Sequence, residues 1–181
     1  LVGTALWITG APSGHVRNWL FDLEPIPGVP RPAARQAVRG SPKHQIDERH
    51  HLKREVFLGH YFRPDVPGPS SSTVHRVDKP GDEKLPEDER HGRLVTDYRE
   101  ANDTTVKENP DSQDGEEFSA WLQACLWKTL ADLLWGFNHL LVLKRAAELM
   151  QVITQTMGIL QPSVLSFGTH SGPSSFQRCV N

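Results

Sequence analysis

The sequence predicts an α+β fold on three observations. A segment with helix signals runs from Ser41 to Gly59, two β-type runs stand near one another at Thr73–Val77 and Arg93–Tyr98, and helical spacing recurs at Phe118, Trp121, Leu122, Cys125 and Leu126. At 181 residues with 37% hydrophobic content the chain is long enough for one domain with its own core, while 14 Gly and 14 Pro predict many loops. No internal repeat is visible.

The elements follow in chain order. Leu1–Gly10 is apolar enough for a strand, but Pro25, Pro27, Pro30 and Pro32 then withhold backbone donors and force extended chain. Residues 1–45 therefore read as an extended Pro-rich linker or surface-hugging arm. In the helix that follows, Ser41 is placed to cap, Pro42 takes the first helical position and Gly59 supplies the stop. Pro64–Ser72 breaks the chain again. The two β-type runs, joined by the charged segment Gly81–Gly92, are expected to pair as a hairpin. Asp114 followed by Glu117 makes a capping pair for the next helix. The apolar stretch Leu130–Leu143 fits either a continuation of that helix or a buried strand, with Gly136 and Asn138-His139 weakening the helix. Lys144–Gln151 reads as helix, and Val152–Leu165 as strand material broken at Gly158 and Pro162.

Composition narrows the function classes. The net charge of −2 argues mildly against an isolated nucleic-acid module, which is usually basic because phosphate contacts supply most of its affinity. The charge is unevenly spread: Arg31–Arg63 holds eight Lys/Arg against three acids, and Asp82–Glu117 holds thirteen acids against five bases. A solvated surface and an acidic loop account for that pattern. Cys125 and Cys179 stand in no Cys-x-x-Cys pair and beside no histidine, which fits free thiols in a reducing intracellular setting, cytoplasmic or nuclear. Leu130–Leu143 is too short, and too interrupted by Asp132, Asn138 and His139, to span a bilayer, so no membrane partner is expected. His44, His50, His51 and His60 crowd together without zinc-site spacing and read as solvent-exposed imidazoles. Phosphate-loop, Gly-x-Ser-x-Gly and dinucleotide fingerprints are all missing. The chain starts at Leu1 and its first methionine is Met150, so it reads as a piece of a longer product.

Three motifs, in order, carry a family resemblance. The first is Arg93-Leu-Val-Thr-Asp97-Tyr-Arg99-Glu-Ala-Asn102 followed by Thr105-Val-Lys107. The second is Ala131-Asp132-Leu133-Leu-Trp-Gly136-Phe137-Asn138-His139, and the third is Ser166-Phe167-Gly168-Thr-His-Ser-Gly172-Pro173-Ser-Ser-Phe176-Gln177-Arg178-Cys-Val-Asn181. They resemble, in turn, the Arg-Leu-Val-x-Asp-Tyr-Arg-x-x-Asn-x-x-Thr-Val-Lys, Asp-Leu-x-x-Gly-Tyr/Phe-His-Gln and Met-Pro-Phe-Gly-x-x-Asn-Ala-Pro-x-x-Phe-Gln-Arg-x-Met-Asn motifs of gypsy-type LTR retrotransposon reverse transcriptases. Weaker similarity through Phe21-Asp-Leu-Glu, Ser41-Pro42, Arg63-Pro64 and Val77-Asp-Lys79-Pro-Gly81 extends the resemblance over most of residues 20–181. The sequence departs from the family in the long acidic segment Asp82–His91 between Lys79 and Arg93, and in Pro110-Asp-Ser-Gln where the family has Tyr-Pro-Leu-Pro.

The resemblance implies fingers and partial palm of a right-hand polymerase, incomplete. Residues 46–109 would supply fingers elements, and 110–181 the first palm elements with a returning fingers segment, stopping before the family's Tyr-x-Asp-Asp hairpin. The activity implied is RNA-directed DNA synthesis, in which two Mg2+ ions clamp the attacking 3′-oxygen and the leaving pyrophosphate. Magnesium takes hard oxygen ligands, and Asp132 would be the first of three catalytic, metal-binding carboxylates. Lys79 and Arg93 would hold the triphosphate, Phe137 would block a ribose 2′-hydroxyl, and Phe167 and Gly168 would lie beneath the incoming nucleotide. Arg99, Pro173, Gln177 and Arg178 would stand on the template side. The implied partners are an RNA or DNA template-primer and deoxynucleotides. With one carboxylate of three, residues 1–181 alone are not expected to polymerise.

Each residue also has a plainer reading. An aspartate in an apolar run either has a cation partner or faces solvent, Arg93 and Lys79 suit surface ion pairs, and Phe137 suits a core. The rival from another class is a noncatalytic helical interaction protein with a disordered front half and a hydrophobic helical element over Glu116–Gln151. It predicts one long helix through Gly136, where the polymerase reading predicts a strand around Asp132.

Overall fold

Capping chemistry sets the first helix. In the computed structural model, which describes residues 16, 19–68, 70–78, 80–81, 84–86, 92–108, 115–129 and 133–180, α1 spans Pro42–Phe57. The Ser41 hydroxyl accepts from the His44 amide at 3.3 Å and Pro42 opens the first turn. At the other end Gly59 adopts φ +76, its amide donates to Val56 O at 3.0 Å, and the His60 amide donates to Glu55 O at 2.9 Å. That pair of bonds is a Schellman closure, which needs a left-handed residue where the glycine stands.

The expected hairpin forms. β3 (Ser72–Asp78) and β4 (Gly92–Asp97) run antiparallel, with Thr73 opposite Asp97 and Val77 opposite Arg93. They belong to a five-stranded sheet completed by β2 (Tyr61–Phe62), β6 (Val152–Thr154) and β7 (Gly158–Pro162), in the order β2-β7-β6-β3-β4. β3 pairs with β6 in parallel, and the other neighbours are antiparallel. The expected break is the turn at 155–157 between β6 and β7, after which Gly158, at φ +73, opens β7. Thus a late segment of the chain is laid between the early strands β2 and β3, and residues far apart in sequence share one sheet.

Two expectations need correction. Of the two readings of the Pro-rich segment, the linker does not hold from Leu20 onward and the arm laid against the domain does: β1 (Leu20–Phe21) pairs in parallel with β5 (Leu141–Val142), and Pro25 and Ala34 bridge to Thr105 and Ser71. Phe21 and Leu23, two apart and so on one face of extended chain, are fully buried beside Leu140, Met150 and Leu165. Burying each such side chain is worth roughly 1.5–3 kcal/mol, which helps hold an arm whose own ladder is two residues long. The second correction concerns the stretch expected as helix or strand. Trp135 takes the left-handed conformation at φ 52, a 3-10 helix covers Gly136–His139, and Leu140 is already extended. No single helix runs through Gly136. A strand at Asp132, the opening run Leu1–Gly10 and the Asp114 cap lie outside the described residues.

Short helices finish the fold: α2 (Arg99–Asp103), α3 (Gly115–Ala124), α4 (Lys144–Leu149) and α5 (Gly172–Val180). The apolar periodicity of α3 does not face the core. Phe118 and Trp121 stack on each other at 6.1 Å and stay exposed, and Leu126 and Trp127 beyond them are almost wholly exposed. Cys125 and Cys179 are free thiols. Among the described residues no helix is long and apolar enough to cross a membrane.

Candidate functional site

β4 carries Arg93 and Thr96 up one wall of a cavity of about 530 Å3, and the chain leaving β7 brings Phe167 and Gly168 to the same cavity. Its volume falls in the range of small-molecule sites. Arg93 forms no ion pair among the described residues, and Glu55, which lines the same cavity, is joined to His60 instead. Phe167 is 66% exposed. The ring of Phe137, from the 3-10 helix, lies 4.8 Å from that of Phe167 at a 30° tilt and 5.2 Å from that of Phe176 at 62°. Four of the residues singled out by sequence are thereby gathered: Arg93, Phe167 and Gly168 on the cavity, and Phe137 against Phe167.

Glycine is required at two places in this assembly. Gly168 has φ +103, and a Cβ there would sit 3.3 Å from the Thr96 carbonyl oxygen and from the Tyr98 ring. Gly136 lies under Phe176, whose ring atom Cζ would be 2.6 Å from an added Cβ. The first motif braces the same loop from beneath. Asn102 donates to Gly168 O at 2.9 Å and accepts from the His170 amide at 3.0 Å. Tyr98 is buried with its hydroxyl directed at Met150 O, 3.3 Å away, and Thr105 closes the turn by donating to Ala101 O at 2.8 Å. Motif residues with no chemical role of their own thus hold the residues that line the cavity.

The opposite wall was not foreseen. Arg54 of α1 lies over the Trp135 ring, 4.6 Å from its centroid, and both residues line the cavity. His60, expected to be solvent-exposed, is buried: its Nδ1 is 2.7 Å from Glu55 Oε2 and 3.2 Å from the Asn138 amide nitrogen. His44 is also mostly covered, whereas His51 is open to solvent. Burial opposes the charge on Glu55, but the hydrogen bond from His60 and the charges of His60, His51 and Arg54 outweigh it and hold this carboxyl below its ordinary value. Gly59 was the available signal, since the closure it permits turns His60 back onto Glu55. Burial likewise raises the phenols of Tyr61 and Tyr98, and Tyr61 shares a 2.9 Å hydrogen bond with Ser166.

The residues expected on the template side lie off this cavity. Arg99 is bound through Nε and Nη2 to Asp97 at 2.8 and 2.7 Å, and these bonds hold the Asp97 carboxyl well below the usual carboxylate range. Arg178 of α5 pairs with Glu108, Pro173 is exposed in the first turn of that helix, and Gln177 is half-buried. Asp132 and Lys79 lie outside the described residues. Among the described residues no three His, Cys, Asp or Glu side chains are grouped to hold a metal ion.

The architecture is mixed α+β, and comparison with solved structures finds it similar to polymerase fingers and palm of reverse transcriptases. The native protease-reverse transcriptase of prototype foamy virus matches with a TM-score of 0.68 at 20% identity, over 92% of this chain and 21% of that one. A foamy viral protease-reverse transcriptase in complex with an RNA/DNA hybrid matches at 0.68 and 16% identity with the same coverage, and one in complex with dsDNA at 0.66 and 16%, over 92% and 30%. The chain therefore has a reverse-transcriptase-like fold and spans about a fifth to a third of the length of these proteins. No protein-family model matches the sequence, and no curated protein sequence does.

Proposed function

We propose that this chain is the fingers and first palm portion of an RNA-directed DNA polymerase from a gypsy-type retrotransposon polyprotein. In this reading residues 46–109 are fingers elements and 110–181 enter the palm. The observation that carries it is the meeting of Arg93 with Phe167 and Gly168 around one cavity of about 530 Å3, with Phe137 packed against Phe167. These residues come from three motifs widely separated in sequence. An unpaired guanidinium offers a planar fork to phosphate oxygens, and an exposed ring beside a bare glycine backbone leaves room for a flat base and sugar.

In a longer protein that includes the Tyr-x-Asp-Asp hairpin, Asp132 supplies one carboxylate for Mg2+, Lys79 joins Arg93 at the triphosphate, and the deoxynucleotide is added to a primer on an RNA or DNA template. Arg99, Pro173, Gln177 and Arg178 lie toward the template. The 181 residues contain no Tyr-x-Asp-Asp sequence and on their own do not polymerise. The test is primer extension by the longer protein: Asp132→Ala abolishes it, and unchanged extension would end the assignment.

A further inference from the structure

α1 sorts its charges by side. The helix holds three acids, Asp47, Glu48 and Glu55, and all three turn toward the domain: Asp47 accepts from Arg76 at 2.8 Å, Glu48 from the Thr156 hydroxyl at 2.7 Å, and Glu55 is joined to His60. At about 100° per residue Lys43, Arg49, His50 and Lys53 lie within an arc of about 120° facing away from Glu48 and Glu55, while Arg54 turns inward over the Trp135 ring. No carboxylate enters that arc. Arg49, His50 and Lys53 are exposed, and among the described residues none of them forms an ion pair. Two large apolar side chains share the face: Ile46 at 64% exposure and Phe57 at 84%. From Ile46 to Phe57 the stripe runs about 17 Å at 1.5 Å per residue.

A helix that only needed solubility would mix its signs, because i,i+4 pairs of opposite charge stabilise it and clustered like charges do not. Here all three acids of the helix are engaged inward, and among the described residues the cations of the outer face form no ion pair beside the exposed ring of Phe57. A polyanion would relieve that repulsion, and a flat unstacked base would cover the ring. That combination of a cationic track with an aromatic platform is how single-stranded nucleic acid is held without sequence preference.

We propose that the outer face of α1, through Arg49, Lys53 and Phe57, is a binding surface for single-stranded nucleic acid. It stands apart from the cavity lined by Arg93 and Phe167 and shares with the proposed function only the class of partner. Phosphates sit over Arg49 and Lys53, one helical turn apart, and a base stacks on Phe57.

The experiment is fluorescence anisotropy of a fluorescein-labelled oligothymidylate with the whole 181-residue chain, across a salt series beginning near about 50 mM. Replacing both cations (Arg49→Gln with Lys53→Gln) is expected to weaken binding about tenfold and to shrink the log–log salt slope by about 1.4, at 0.7 per lost phosphate contact. Phe57→Ala is expected to weaken it about fivefold or more without changing the slope. Both variants alter exposed side chains and should keep the wild-type urea midpoint; Phe57→Ala tests the surface independently of the charges. If the chain binds but both variants bind as wild type does, the α1 surface is refuted while a nucleic-acid partner for the chain stands. No binding by the wild-type chain at low salt refutes both. Displacement of the oligonucleotide by poly-glutamate at equal charge concentration would instead assign the face to an acidic protein segment and overturn the proposal.

Discussion

The side-chain amide of Asn102 donates to the carbonyl oxygen of Gly168 across 2.9 Å, joining the end of the hairpin motif to the loop that follows β7. The same side chain accepts from the His170 amide, so one residue fixes both flanks of Thr169. This is the contact through which one motif shapes a cavity lined by another.

Removing it has a measurable cost. Asn102→Ala leaves Gly168 O and the His170 amide without their partner and is expected to destabilise the fold by about 1–3 kcal/mol, read as a lower urea midpoint at unchanged m-value. Asn102→Asp should fall between the two, because a carboxylate still accepts from His170 but donates nothing to Gly168.

The two close-packed glycines should both resist a methyl group, for different reasons. Gly168→Ala places a side chain at φ +103 against the Thr96 carbonyl and is expected to cost about 1–3 kcal/mol. Gly136→Ala drives Cβ into the Phe176 ring and is expected to cost about as much through forced repacking. Shortening the ring with Phe176→Leu should recover part of the Gly136→Ala loss and none of the Gly168→Ala loss, a difference that thermal melts of the double variants would register.

Stability should fall in acid partly through Glu55. Its folded pKa lies below the ordinary 4.5, so as pH drops the unfolded chain takes up the proton first. The contribution is complete above about 4.5 and disappears as pH falls through the lower folded value. Glu55→Gln is expected to cost about 1–2 kcal/mol near neutral pH, where the charged bond to His60 is lost, and to flatten this part of the acid limb. An acid limb as steep as that of wild type would show that other carboxylates dominate it.

The Phe137 ring packs against those of Phe167 and Phe176, 4.8 and 5.2 Å between centroids. In the longer polymerase of the proposed function, Phe137→Val is expected to improve incorporation of ribonucleotides relative to deoxynucleotides by about tenfold or more, the scale on which steric pockets discriminate. Steady-state kcat/KM for the two nucleotide types measures it. Arg93→Gln in the same protein should raise KM for either nucleotide and leave their ratio alone.

Local chemistry made some of this legible in the residue order. Ser41, Pro42 and Gly59 announce α1 because capping and left-handed closure are decided within a turn of chain. The β3–β4 pairing is equally local, and three motifs at family-like spacing resemble those of a polymerase in the residue order alone. Tertiary structure alone decided the rest. Phe21 and Leu23 enter the core only because β5 comes back from residue 141 to meet them, and Pro-rich chain gives no local hint of that distant partner. The apolar residues of α3 show the reverse: period marks a face, but what covers a face depends on elements elsewhere, and here Phe118 and Trp121 stay open. Its place in a crowd of histidines predicts a solvent-exposed His60, yet its burial depends on where Asn138 and Trp135 arrive, some 78 residues later in the case of Asn138. Short-range rules set which way the backbone turns, while burial and pairing belong to contacts made across the whole chain.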